Sequence, residues 1–120
     1  MLILIAEDDE LILRTVEHKL LKEGHEVLLT RNGKEAIDTI KEKNVDLVIT
    51  DIMMPFASGI EILSAMRAFG KKVPVIVLSS MGQEEVVVDA FDLGAADFMV
   101  KPFSPNELML RIKRLTNSLS

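Results

Sequence analysis

At 120 residues the chain has the length of a single domain, and its 48% hydrophobic and 28% charged residues supply enough apolar material to offset chain entropy, which argues against intrinsic disorder. A formal charge of −5 argues against a basic surface for nucleic acid or anionic membrane, and the absence of Tyr and Trp leaves little on which bases could stack. Absent cysteine excludes disulfides, thiolate catalysis and cysteine-ligated zinc, and His18 and His25, both in polar context, do not suggest a multi-histidine metal site.

The run Leu2–Ala6 is apolar throughout, as in a strand buried on both faces. It is too short for a signal sequence, and nothing approaches the ~20 apolar residues of a membrane span, so the chain reads as soluble and cytoplasmic. Leu13, Val16 and Leu20 then recur at helical spacing, and Gly24 marks a helix end. Glu26–Thr30 reads as a second, more polar strand at the sheet edge. Ala36, Ile37 and Ile40 mark a second helix. Residues 47–50 form a third buried strand that runs straight into Asp51. Ser58 with Glu61 is a capping box opening a third helix, whose stripe includes Leu63 and Met66, and Gly59 reads as a helix-start glycine.

Residues 73–78 read as a fourth strand, with Pro74 near its start, where a missing amide proton is tolerated. Val86, Ala90 and Leu93 are helix-spaced, and Gly94 ends that run. Residues 98–100 make a fifth, short strand. Ser104, Pro105 and Glu107 combine an N-cap, a proline at the first helical position and a capping glutamate. Leu108, Ile112, Leu115 and Leu119 give the last helix its apolar face. Strand and helix thus alternate five times, which predicts one α/β domain over residues 1–120: a five-stranded parallel sheet between two helical layers.

In open parallel sheets, ligands bind outside the carboxyl ends of the strands. Those ends carry Asp8 and Asp9, then Asp51, then Ser79 and Ser80, then Lys101. Taken singly, each has an ordinary reading: Asp8 and Asp9 as caps of the first helix, Ser79 and Ser80 as loop serines, Lys101 as a surface lysine. Taken together they are oxygen ligands suited to Mg²⁺ beside an ammonium and a hydroxyl, a set able to stabilise a phosphoryl group in transfer to a carboxylate.

Four pieces then fall in a specific order: Glu7-Asp8-Asp9 after the first strand, Asp51-Ile52-Met53-Met54-Pro55 with Gly59 after the third, Ser79 after the fourth, and Lys101-Pro102-Phe103 after the fifth. In these pieces, and over essentially its whole length, the chain resembles a response-regulator receiver domain of two-component signalling. The resemblance implies the flavodoxin-like (βα)5 strand order. It implies that Asp51 accepts the phosphoryl group. Asp9 and Asp51 would ligate Mg²⁺ directly with the backbone carbonyl of Met53, and Asp8 would act through bound water. Lys101 would pair with phosphoryl oxygens, before a cis bond to Pro102. Ser79 would hydrogen-bond the phosphoryl group as one switch residue, and Phe98 would turn inward as the other. Phe98 stands where many relatives have tyrosine, and Ser79 where threonine is commoner. Phe98 could equally be a half-buried core residue.

The implied function is a phosphorylation switch rather than an enzyme. A sensor histidine kinase would supply the phosphoryl group. The face of the fourth helix, fifth strand and fifth helix would relay the change to a C-terminal or separate output domain. A Mg²⁺-dependent phosphohydrolase is the first alternative, but the chain lacks that class's second aspartate after a strand-one nucleophile and any lid insertion. A pseudo-receiver that only binds partners is the second. Asp97 and Arg111 match a pair that related regulators use across a dimer interface, which implies a weak homodimer, although Val88 replaces a basic residue and Ser118 an arginine. Val87, Val88 and Phe91 read either as an exposed partner patch or as additional core.

Overall fold

The computed structural model describes the backbone of residues 1–119 and the side chains of residues 1–116; Ser118 and Leu119, singled out above, have side chains outside the described residues. Five strands, β1 (Leu2–Ala6), β2 (Glu26–Thr30), β3 (Leu47–Asp51), β4 (Val75–Ser79) and β5 (Asp97–Val100), alternate with five helices, α1 (Glu10–Lys22), α2 (Gly33–Glu42), α3 (Gly59–Ala68), α4 (Glu84–Asp92) and α5 (Pro105–Leu119). All strand pairs are parallel, in the order β2-β1-β3-β4-β5, so the expected flavodoxin-like sheet is present with β2 at one edge and β5 at the other. Pro74 precedes β4, and its carbonyl accepts the Val48 amide.

The inner strands β1, β3 and β4 are almost wholly buried because each side chain meets a helix whichever way it points. Leu4, Val48, Val75 and Val77 pack under α2, α3 and α4 with Ala36, Ile40, Ile62 and Ala90. Ile3, Ile5, Leu47, Ile49, Ile76, Leu78 and Met99 pack on the opposite face with Leu13, Val16, Leu20, Leu108 and Ile112 of α1 and α5. Val87 joins the first cluster, whereas Val88 and Phe91 stay exposed, so the apolar α4 patch is divided between core and surface. Among the described residues, no helix is long and apolar enough to cross a membrane.

Helix starts aim the chain at the carboxyl ends of the strands. Asp9, Asn32 and Ser58 cap α1, α2 and α3 by accepting amide protons of the first turn. Ser104 Oγ accepts from the Asn106 amide at the start of α5. By contrast α4 starts at Gln83 with no side-chain cap. Gln83 Oε1 instead accepts the Ser80 amide at 2.6 Å.

Two glycines fix the loop between β3 and α3. A Cβ on Gly59 would stand 2.8 Å from the Asp51 carbonyl oxygen, and one on Gly33 would stand 1.9 Å from that of Ala57. Helix α2 therefore sits directly against the loop, and the Gly33 amide donates to the Pro55 carbonyl at 3.3 Å. Gly33→Ala must push α2 off this loop, and we expect a loss of about 1–3 kcal/mol in urea unfolding, the usual cost of overpacking. Gly24→Ala leaves packing untouched, since nothing lies within 4 Å of its Cβ position, and disturbs only its left-handed turn at φ 89°.

Candidate functional site

The buried polar and charged side chains among the described residues are Glu7, Thr30, Thr50, Asp51 and Ser79. Each stands at, or immediately beyond, the carboxyl end of a strand. Burying polar groups is costly without compensation, so their gathering at one edge marks a built site. The neutral members are partly satisfied by backbone: Thr30 Oγ1 donates to the Ile5 carbonyl and Thr50 Oγ1 to the Asp51 carbonyl, both at 2.9 Å.

Glu7 is fully buried and Asp51 is 7% exposed. The β1–β3 ladder pairs Ile5 with Ile49 and Ala6 with Thr50, so one further step places Glu7 beside Asp51. Lys101 arrives from the end of β5 and bridges the two. Its Nζ donates a hydrogen bond to Asp51 Oδ2 at 2.8 Å and forms an ion pair with Glu7 Oε2, also at 2.8 Å. The second contact lacks hydrogen-bond geometry, so Glu7 Oε2 is a buried oxygen without a hydrogen-bond partner among the described residues. Glu7 Oε1 accepts the Asp9 amide at 3.0 Å.

Glu7, Asp8 and Asp51 bring carboxylate oxygens within 4.8 Å of one another. Asp9, expected as a direct metal ligand, is not in this group. Its Oδ1 instead accepts the Leu11 amide at 3.0 Å and the Ile12 amide at 3.2 Å as the cap of α1. Glu7 takes the place beside Asp51 that the sequence reading left empty. The signal for it was the two-residue period of the strand: Ile3, Ile5 and Glu7 fall on the same side as Leu47, Ile49 and Asp51. Met53 lies in the exposed part of the loop after β3, two residues beyond Asp51.

Burial raises the Glu7 carboxyl to about 7, with the charge of Asp51 adding to the effect, while Lys101 and the Asp9 amide oppose it. Burial also works against the Lys101 charge, but its contacts to Asp51 and Glu7 prevail and hold its value above the ordinary lysine range. Lys101 is therefore a fixed cation at neutral pH. The Lys101–Pro102 bond is cis, as the resemblance implied.

On the α4 side Ser79 is buried, and the Lys101 amide donates to its carbonyl at 2.7 Å. Phe98 is 36% exposed, and its ring meets Phe91 edge-on at 5.8 Å and 88°. A cleft of about 270 Å³ lies between Ser79, Val87, Phe91 and Phe98. Asp97 and Arg111 pair within the chain at 2.7 Å, and Arg111 also donates to the Phe98 carbonyl.

Residues 3–113 match the family described as the response regulator receiver domain. The chain is 38% identical over 113 residues to the transcriptional regulatory protein SrrA of Staphylococcus aureus, a match that takes in 94% of this chain and 46% of that protein. It spans about half the length of such curated relatives. Among solved structures it is similar to the receiver domain of the Francisella response regulator 1452, with a TM-score of 0.90 at 32% identity over 99% of this chain and 98% of that one. It is also similar to the chemotaxis response regulator CheY4 of Vibrio cholerae, with a TM-score of 0.86 at 30% identity over 94% and 96% of the two chains.

The fold is thus that of the receiver domains of two-component response regulators. The chain belongs to the response regulator receiver domain family. Receiver domains bind Mg²⁺ at an acidic pocket, and response regulators carrying output domains are phosphorylated by histidine kinases.

The buried Glu7 carboxyl has a stability consequence in metal-free buffer. Its folded value near 7 lies above the ordinary 4.5, so between these values the folded state holds a proton that the unfolded chain has released. Stability falls as pH rises through that window, by on the order of 3 kcal/mol in all. Glu7→Gln should flatten this slope in urea unfolding series run with chelator from pH 5 to pH 8. A slope unchanged in the variant would mean that another group carries it.

Proposed function

We propose that the chain is a phosphorylation-activated switch in which Asp51 accepts a phosphoryl group from a sensor histidine kinase. The observation that carries this reading is the Lys101 ammonium held 2.8 Å from both Asp51 and Glu7 at the strand ends. A carboxylate oxygen of Asp51 attacks phosphorus and a new P–O bond forms. The P–N bond to the donor imidazole breaks, and the nitrogen keeps the electron pair. Lys101 is placed to neutralise the equatorial phosphoryl oxygens, and Ser79 to donate a hydrogen bond to one of them.

The donor set fits a hard divalent cation. It is all oxygen, it is crowded with anions, and the buried Glu7 oxygen lacks a hydrogen-bond partner. Glu7, Asp8 and Asp51, with the Met53 carbonyl, would hold Mg²⁺, whose contribution when bound is to neutralise charge on the phosphoryl group. Asp9 is assigned to the helix cap in this reading.

Phosphorylation adds charge at Asp51 and gives Ser79 a new acceptor. The response is expected in α4, which lacks a capping side chain, and in Phe98, which can leave Phe91 for the cleft beside Ser79. Output then runs through the α4–β5–α5 face, to a domain or partner in the cytoplasm and to a weak homodimer. Because Asp97 and Arg111 already pair within one chain, that dimer rests largely on Val88, Phe91 and Val100, which are exposed on this face.

Incubation with Mg²⁺ and acetyl phosphate should add one phosphoryl mass at Asp51. Chelator or Asp51→Asn should abolish it, and Lys101→Ala should slow it roughly 100-fold or more, the scale of removing one transition-state donor. A mass gain that persists in Asp51→Asn refutes the assignment. Multiple turnover of small phosphate esters would favour a hydrolase instead, and no Mg²⁺ uptake in titration calorimetry would favour a pure binding module. Sedimentation velocity should show a shift toward dimer only after phosphorylation, and Val88→Glu should remove it.

A further inference from the structure

The three most exposed large apolar side chains among the described residues are Phe56 at 84%, Met81 at 83% and Leu11 at 78%. All three follow strand ends: Leu11 five residues after β1, Phe56 five after β3, Met81 two after β4. Leu11 sits in the first turn of α1, and Phe56 and Met81 on the loops after β3 and β4, at the same end of the sheet as Asp51. Phe56 is the unusual one. Its φ is +70°, the only positive value among the described residues other than glycine. The Ala57 amide donates to the Pro55 carbonyl at 2.8 Å, closing a three-residue turn with Phe56 at its centre. A positive-φ γ-turn of this kind is rare and strained, and a bulky side chain there is an outlier.

The turn cannot relax by moving inward. Gly33 of α2 abuts Ala57 so closely that even a Cβ would collide, and the Gly33 amide holds the Pro55 carbonyl. Gly59 pins the other end, its amide donating to the Ile52 carbonyl at 2.9 Å. The backbone therefore holds the side chain out in solvent, against both the backbone preference and the hydrophobic effect. Glycine would suit the turn better and leave the site chemistry unaltered.

We infer that Phe56 is a specificity-determining contact for the protein that donates the phosphoryl group, its ring packing against an apolar patch of the donor as the phosphohistidine reaches Asp51. This rests on the phosphoacceptor reading of Asp51. The charge distribution favours it. Glu7, Asp8 and Asp51 crowd the site on a chain of net charge −5, so a phosphorylated donor meets repulsion at long range. Attraction must come from apolar contact at the rim, where a single rigid aromatic gives the most area for the least loss of freedom. A small acyl phosphate needs no such contact.

The test compares Phe56→Gly with the wild-type chain and two phosphodonors, acetyl phosphate and the radiolabelled kinase core, among the sensor kinases of the source organism, that phosphorylates the wild type fastest. Phe56→Gly should melt a few degrees higher, keep its acetyl phosphate rate within about two-fold, and lose ten-fold or more in kcat/KM with the kinase, mostly through KM. Phe56→Leu should recover much of that loss, and Phe56→Asn, which tolerates the turn, should behave like glycine. Unchanged kinase transfer overturns the inference, as does a fall with both donors alike, which would make the loop a positioning element for Asp51. A changed oligomeric state with kinase transfer intact would assign Phe56 to self-association and overturn it as well. Failure of the wild type with acetyl phosphate would instead sink the phosphoacceptor reading itself.

Discussion

Glu7 and Asp51 are two carboxylates buried side by side, and the Lys101 ammonium is what makes the arrangement tolerable. Two like charges removed from water repel strongly. With Lys101 2.8 Å from both, one carboxylate can remain charged while the burden falls on Glu7, whose carboxyl is pushed up to about 7. The site is therefore short of positive charge. A divalent cation, as proposed for this site, would supply the missing charge.

Holding three charged groups in such register requires rigid supports, and the parallel ladder supplies them. Glu7, Asp51 and Lys101 each extend a row of side chains that faces α1 and α5, the rows of Ile3 and Ile5, Leu47 and Ile49, and Met99. The apolar rows have no freedom to slip, because a shift by one residue would turn every side chain to the wrong face. Gly33 and Gly59 let α2 and the start of α3 close over the loop after β3, so the support continues past the strand end. Rigidity under the site contrasts with the α4 side, where the helix starts without a capping side chain and Phe98 sits half-exposed against Phe91. A charge change at a stiff centre can only be accommodated at such a soft margin.

The surface divides along the same line. The two buried carboxylates lie at the strand ends, while exposed apolar groups stand around them and on the α4–β5–α5 face. Arg111 spans Asp97, Glu107 and the Phe98 carbonyl, so the polar groups of that face are largely engaged within one chain.

The architecture was legible in the sequence because parallel strands buried on both faces and amphipathic helices write different periods, and because Ser58 and Ser104 mark helix starts. Asp51 and Lys101 were legible too, as charged residues directly ending apolar runs. The choice between Glu7 and Asp9 was not. Both lie within three residues after β1, and only the strand phase, carried across the β1–β3 ladder, sends Glu7 to Asp51 and leaves Asp9 to cap a helix. The burial of Val87 beside exposed Val88, the intrachain pairing of Asp97 with Arg111 and the strained turn at Phe56 also had no signature of their own. Periodicity and end signals are properties of neighbours along the chain, so the sequence carries them by itself. Which strand-end side chains meet, and which loops are forced out of their preferred backbone, depends on elements far apart in sequence, and only the closed sheet with its helices in place decides it.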